Sequence, residues 1–169
     1  KAPDGSIIVG AKKGFYYLNK GALKKISPDG KDYVPLSKTA VRDIEVISEN
    51  EIWYATFGMG LFLHNPGTFT TLNTKDGLDV GGMTFDLVKN GNKVYIATKN
   101  GLFLYQNNKI KKHFTKNDGL PSNMILDLDM DSSGNLWIAT ANGLSKLSGS
   151  VFKNYSRKDG LPSKLVTSV

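Results

Sequence analysis

The sequence predicts an all-β protein made of four repeats of about 42 residues, and three observations predict it. A motif runs Gly134-Asn135-Leu136-Trp137-Ile138-Ala139-Thr140 and returns as Asn50-Glu51-Ile52-Trp53-Tyr54-Ala55-Thr56 and Asn92-Lys93-Val94-Tyr95-Ile96-Ala97-Thr98. A worn copy stands at Ser6-Ile7-Ile8-Val9-Gly10-Ala11. Glycine-bearing turn pairs follow every copy, and no stretch of about ten residues sustains the 3.6-residue apolar period of an amphipathic helix. With Ile7, Ile52, Val94 and Leu136 as equivalent starts, the spacings are 45, 42 and 42 residues. That period belongs to propeller blades and not to helical solenoids. The expected architecture is a β-propeller of four blades, each of four antiparallel strands, either closed as a four-bladed ring or forming an arc of a larger propeller.

Each repeat divides into four strand-sized pieces, here lettered A to D from the propeller centre outward. Strand B is the motif. Its residues are apolar on both faces, as in Leu136-Trp137-Ile138-Ala139, so each blade is expected to bury both sides against neighbours. Ala55, Ala97, Ala139 and Gly10 allow the adjacent blade to come close. A tight turn follows, at Lys13-Gly14, Met59-Gly60, Asn100-Gly101 and Asn142-Gly143. Asn-Gly between apolar runs is a strong hairpin signal because positive φ costs both residues little. The second repeat carries one extra residue there, giving Phe57-Gly58-Met59-Gly60.

Strand C comes next, as Leu61-Phe62-Leu63, Leu102-Phe103-Leu104 and Leu144-Ser145-Lys146-Leu147. Strand D, the polar outer piece, is Phe69–Leu72, His113–Thr115 and Phe152–Tyr155. Lys75-Asp76-Gly77-Leu78, Asn117-Asp118-Gly119-Leu120-Pro121-Ser122 and Lys158-Asp159-Gly160-Leu161-Pro162-Ser163 then read as a turn and an extended crossing from rim to centre. The first repeat has Val34-Pro35-Leu36-Ser37 instead. Strand A closes each repeat: Val41–Ile47, Met83–Val88, Met124–Met130 and Leu165–Val169. A turn then leads to the following strand B, and the chain opens on such a turn at Pro3-Asp4-Gly5-Ser6. One propeller unit, residues 1–169, is expected. Blade 1 takes about 5–47 with 165–169 as its closing strand, blade 2 about 48–88, blade 3 about 89–130 and blade 4 about 131–169. In a closed ring Leu165–Val169 clasps Ile7–Ala11. An open arc, or two arcs paired into an eight-bladed ring, also fits, and the chain reads as a piece of a larger propeller.

Composition narrows the class. An apolar share of 40% with 22% charged residues is that of a folded soluble protein. No segment approaches the roughly 18 apolar residues of a membrane span, so no membrane contact by this segment is expected. Without cysteine there are no disulfides, thiolate metal sites or cysteine nucleophiles. The net charge of +7 comes with only two arginines, Arg42 and Arg157, and lysines scattered over turns and strand edges. That pattern serves solubility and discourages edge pairing rather than nucleic-acid binding.

The run Asp118-Gly119-Leu120-Pro121-Ser122-Asn123, then Asp131-Ser132-Ser133-Gly134-Asn135-Leu136-Trp137-Ile138-Ala139-Thr140, then Gly143-Leu144, resembles the two-component regulator propeller repeat. The resemblance is strongest over 114–163, good over 50–105 and weak over 5–47. It implies an extracytoplasmic, periplasmic or extracellular, sensor module of a bacterial signalling protein such as a hybrid histidine kinase, with an oligosaccharide or similar polar molecule as ligand. The family fixes no ligand residues within the repeat. Gly-Asn-Leu-Trp is also somewhat similar to the repeat of streptogramin B lyases.

No enzyme is expected, and no cofactor or metal. His64 and His113 fall at unlike positions of different repeats, and no Ser/His/Asp spacing, phosphate loop or paired zinc ligands occur. The candidate ligand-binding residues are Asp43, Asp86 and Asp127, which share one register of strand A with Ser168 as fourth counterpart. As inner-strand residues they are placed to line the channel, where converging carboxylates need a partner or a backbone donor. Phe57 and Met59, in the enlarged turn, are the aromatic and apolar candidates for stacking on a ligand. A scaffold or interaction propeller is the competing class, and association of two copies through open edges is a further expectation.

Overall fold

The computed structural model describes residues 5–12, 14–25, 39–65, 68–79 and 82–169 of the 169-residue chain. Among them fifteen strands form four antiparallel sheets, each joining neighbours in sequence order. Blade 1 holds β1 (Ile7–Ala11), β2 (Gly14–Asn19) and β3 (Ala22–Lys25). Blade 2 holds β4 (Ala40–Ser48), β5 (Glu51–Phe57), β6 (Gly60–Asn65) and β7 (Thr68–Leu72). Blade 3 holds β8 (Thr84–Asn90), β9 (Lys93–Thr98), β10 (Gly101–Gln106) and β11 (Lys109–Phe114). Blade 4 holds β12 (Ile125–Met130), β13 (Leu136–Thr140), β14 (Gly143–Ser148) and β15 (Val151–Tyr155). Strand A of blades 2 to 4 is therefore β4, β8 and β12. The strands begin and end within a few residues of the sequence expectation. Val34-Pro35-Leu36-Ser37, Lys13, Pro3 and Asp4 lie outside the described residues.

The core is three apolar layers, one between each pair of successive blades. Alternation along β5 shows why its run has no polar face. Ile52 and Tyr54 pack toward blade 1 with Ile8, Tyr17 and Val41, while Trp53 and Ala55 pack toward blade 3 with Leu87, Ile96 and Phe103. Blades 3 and 4 meet through Phe85, Tyr95, Leu102, Ile125, Leu136 and Ile138. Ala55, Ala97 and Ala139 are fully buried. In the first repeat glycine is needed at this position, because a Cβ on Gly10 would lie 2.9 Å from Cγ1 of Val41 on the next inner strand. Inner strands β1, β4, β8 and β12 neighbour one another in that order around the centre, β1 standing there for a blade whose strand A is not among its three.

The crossing segments are more structured than a plain extended stretch. Each opens with one 3₁₀ turn, at Thr74–Asp76, Lys116–Asp118 and Arg157–Asp159, closed by a capping box. The side chains of Asn73, Thr115 and Ser156 accept the backbone N–H two residues on. The carboxylates of Asp76, Asp118 and Asp159 accept backbone N–H groups from the capping residues in return. Leucine follows each turn, and Leu78 and Leu120 drop into the inter-blade layers at 0% and 3% exposure.

Two expectations need correction. Among the described residues blade 1 has three strands, not four, and Leu165–Val169 forms no strand and does not clasp Ile7–Ala11. The tail instead continues around the centre beyond blade 4. Val166 N–H donates to Thr140 O at 3.1 Å and Val169 N–H to the Asp127 carboxylate at 2.9 Å. It takes the position that β8 and β12 hold relative to their preceding blades. No strand pairing joins blade 4 to blade 1 among the described residues, and Ile7 and Val9 on β1 are 46% and 36% exposed.

Candidate ligand-binding site

Each inner strand carries its aspartate at a bulge. The ladder between strands A and B slips between Val41 and Asp43, between Thr84 and Asp86, and between Ile125 and Asp127, and the three aspartates then face Ala55, Ala97 and Ala139. A bulge re-aims the side chain that follows it. Here the carboxylate turns along the ring to the next blade. Asp43 accepts Leu87 N–H at 3.1 Å, Asp86 accepts Leu128 N–H at 2.7 Å, and Asp127 accepts Val169 N–H at 2.9 Å. Every donor is the residue after the next counterpart in that register (Asp86, Asp127 and Ser168), so one hydrogen bond repeats at each step of the arc.

The same geometry brings the first two carboxyls together. Burial raises the pKa of Asp43, a rise opposed by backbone N–H groups of Ile44 and Leu87 and by a hydrogen bond with the Asp86 carboxyl. Burial, and then the charge of Asp43, pushes Asp86 up to about 7. The field of Asp127 reaches both. Two adjacent carboxyls held this way titrate as a pair and share a proton near neutral pH. Asp86 then donates to Asp43 while each still accepts a backbone N–H.

Phe57 and Met59 sit two rungs away, where strand B ends. Both are open to solvent, at 47% and 43% exposure. Their turn is tied down at three points: Thr39 Oγ1 donates to Phe57 O at 2.7 Å, Gly58 N–H donates to Gly82 O, and Phe57 forms a β-bridge with Met83. The equivalent turns of blades 3 and 4 reach the inner strands alike, through Lys99 N–H to Met83 O and Ala141 N–H to Met124 O. All three turns therefore share one face with the starts of the inner strands. Met83, Met124 and Leu165 repeat there three positions before Asp86, Asp127 and Ser168, with Met124 at 38% and Leu165 at 51% exposure. Sequence reasoning missed this apolar collar, although the aspartate register carried the signal. Phe57 and Met59 extend it outward. The aspartates and the turn form two groups at different depths, not one cluster.

The histidines lie within strands, His64 in β6 and His113 in β11, not beside them. His64 stacks on Phe69 at 4.3 Å and is held below its usual pKa by burial. His113 stacks on Phe103 at 3.9 Å, its Nε2 2.8 Å from Asn100 O. Both are engaged in packing far apart in the repeat pattern. Among the described residues no group of three or more His, Cys, Asp or Glu side chains is placed to hold a metal ion, and no helix is long and apolar enough to cross a membrane.

Bulged inner strands, paired faces and rim-to-centre crossings define the class: the chain has a β-propeller fold, with blades 4 and 1 unpaired among the described residues. Residues 119–142 match the model of the two component regulator propeller family. Over 48 residues, 28% of the chain, it is 42% identical to histidine kinase P4 of Formosa agariphila, covering 4% of that protein. In fold it is similar to the extracellular domain assigned to a hybrid two component system of B. thetaiotaomicron, with a TM-score of 0.81 and 21% identity over 98% of this chain and 23% of that one. Enzymes share the fold too: a streptogramin B lyase superimposes with a TM-score of 0.67 at 16% identity, over 96% of this chain and 53% of the lyase. The chain thus spans a small part of that histidine kinase and of that extracellular domain.

Proposed function

We propose that this arc belongs to the extracytoplasmic sensor region of a bacterial two-component signalling protein, and that it binds an oligosaccharide or similar polar ligand without transforming it. The observation that carries the reading is the Phe57–Met59 turn. Two large apolar side chains are held in the open by three ties to their turn, on the face where the inner strands that carry Asp43, Asp86 and Asp127 begin. Core packing needs neither of them, and a pinned aromatic at a loop face suits stacking on a sugar ring. The aspartates contribute acceptors for hydroxyl groups, and the blades, tied carboxylate to backbone, transmit a rearrangement at that face to domains elsewhere in the protein. Extracytoplasmic placement rests on the likeness to extracellular sensor domains.

The test is a thermal-shift and calorimetric screen of neutral and acidic oligosaccharides against the chain and a Phe57→Ser/Met59→Ser variant. A ligand that raises Tm for the parent and at least tenfold less affinity in the variant are expected. A parent that answers to no oligosaccharide overturns the ligand and leaves an interaction propeller as the better reading.

A further inference from the structure

On the face opposite the Phe57–Met59 turn, blades 2 and 3 part to leave a cleft of about 230 Å³. Glu51 and Trp53 of β5 form one wall, and Asn92, Tyr105, Asn107 and Asn108 of blade 3 form the other. Trp53 is buried and meets the edge of Tyr105 at 4.8 Å and 78°, which fixes the half-buried phenol ring at the cleft wall. Glu51 Oε1 accepts the indole N–H at 2.7 Å, and Gln106 Nε2 donates to Asn92 Oδ1 at 2.8 Å. A carboxylate has about four acceptor sites, so Glu51 keeps acceptors for a ligand, and Asn92 keeps its NH₂ donors. Asn107 and Asn108 are held in the left-handed region at φ 52° and 59°, forming the turn at the cleft rim.

The repeats serve as a control on what packing alone requires. The same five positions between blades 3 and 4 carry Lys93 for Glu51, Gly134 for Asn92, Leu147 for Tyr105, Gly149 for Asn107 and Ser150 for Asn108. A blade interface therefore forms without the carboxylate, the phenol or the amides, and their gathering at one interface is not dictated by the fold.

We infer that this cleft is a binding site for a single neutral, polyhydroxylated ring. The volume falls below the roughly 300 Å³ at which pockets for drug-sized ligands begin, which leaves room for one ring and not a chain. Donors and acceptors stand together on an aromatic wall, as alternating hydroxyls on a ring with an apolar face require. Charge decides against ionic ligands. Glu51 repels an anion, and Lys89, whose Nζ is bound to the carbonyl of the cleft residue Ile47 at 2.6 Å, repels a cation. The inference rests on the ligand-sensing reading for its purpose, while its site is separate from the Phe57 turn.

Nuclear magnetic resonance titration of the 169-residue chain with neutral methyl glycosides, and with a methyl uronide as charged control, tests it. Saturable shifts confined to the Trp53 indole and the side-chain amides of Asn92, Asn107 and Asn108 are expected, with a Kd on the order of 1 mM and weaker binding of the uronide. Tyr105→Leu/Asn107→Gly introduces the residues blade 4 already uses and should weaken binding at least tenfold with the fold intact by circular dichroism. Asn107→Gly alone, at a φ that suits glycine, should weaken it measurably if the pair does not fold. Phe57→Ser/Met59→Ser should leave cleft binding unchanged. Shifts centred on Phe57–Gly60 would sink the cleft while sparing the sensing reading. Equal binding by the cleft variants, or no saturable shift with any glycoside, also overturns it.

Discussion

Replacing Asp86 with asparagine tests the proton shared between blades 2 and 3. In the fold, burial and the Asp43 carboxyl lift Asp86 from 3.8 to about 7. A carboxyl that binds its proton more tightly when folded stabilises the fold at low pH, fully so below about 4, and this contribution is lost as pH rises to about 7. At about 1.4 kcal/mol per unit the displacement corresponds to about 4 kcal/mol for a sheltered group, and partial solvent screening leaves roughly 2–4 kcal/mol. One kcal/mol moves Tm by about 2–4 °C in a chain of this size, so Tm of the parent should fall by roughly 5–15 °C from about pH 4 to pH 8. Asp118, Asp131 and Asp159 are held below the usual range, by hydrogen bonds from Thr115, Asn135 and Ser156 respectively, so their contributions vanish only at more acid pH, outside this window. Asparagine at 86 retains an oxygen for Leu128 N–H and supplies an NH₂ donor to Asp43 in place of the shared proton. Asp86→Asn should match the parent near pH 4 and exceed it at pH 8 by most of that difference, in thermal melts followed by circular dichroism. A parent whose Tm is flat over the window, or a variant less stable than the parent at pH 8, refutes the shared proton.

Other perturbations probe the frame. Gly143 has φ 117°, and an added Cβ would lie 2.6 Å from Tyr155 O, so Gly143→Ala should cost about 3 kcal/mol or more in urea unfolding. Gly91, at φ 60° with open space around it, should cost only about 1–2 kcal/mol as alanine. Leu120→Ala removes a side chain at 3% exposure from the layer between blades 3 and 4 and should cost about 2–4 kcal/mol, whereas the half-buried counterpart Leu161 should cost clearly less. The uncovered edge of β1 should make the 169-residue chain associate with itself, and Val9→Lys should return it toward monomer mass by light scattering. A parent that stays monomeric at high concentration rejects that edge as an interface.

The frame was legible because a propeller repeats its packing problem, so a residue type at one register is seen several times. Trp53, Tyr95 and Trp137 announced an inter-blade position, and the layers are built from them. Tyr95 and Trp53 are buried, and Trp137 of blade 4, against which no further blade packs among the described residues, is half-buried. The capping boxes were also written in the sequence, as Asn73, Thr115 and Ser156 each three residues before an aspartate, yet they read as plain turns because Asp-Gly dominated the signal. Two things were not legible. The aspartate register could be read, but not the bulge that swings each carboxylate to the next blade, because a one-residue slip in pairing leaves no trace in apolar periodicity. The cleft of Glu51, Tyr105 and Asn107 was hidden for the opposite reason. Its residues depart from the repeat, they come from two blades and separate turns, and only blade packing sets them face to face. In an array, repetition reports what the fold needs, and departures from repetition at one interface are where ligand chemistry has room to be added without unmaking the blade. On that argument the interface between blades 2 and 3, which holds the shared proton at its centre and the cleft at its opposite rim, is where binding and blade geometry are coupled. Tyr105→Leu and Asp86→Asn, on separate strands of blade 3 yet at one interface, should then show non-additive effects on the pH dependence of glycoside binding.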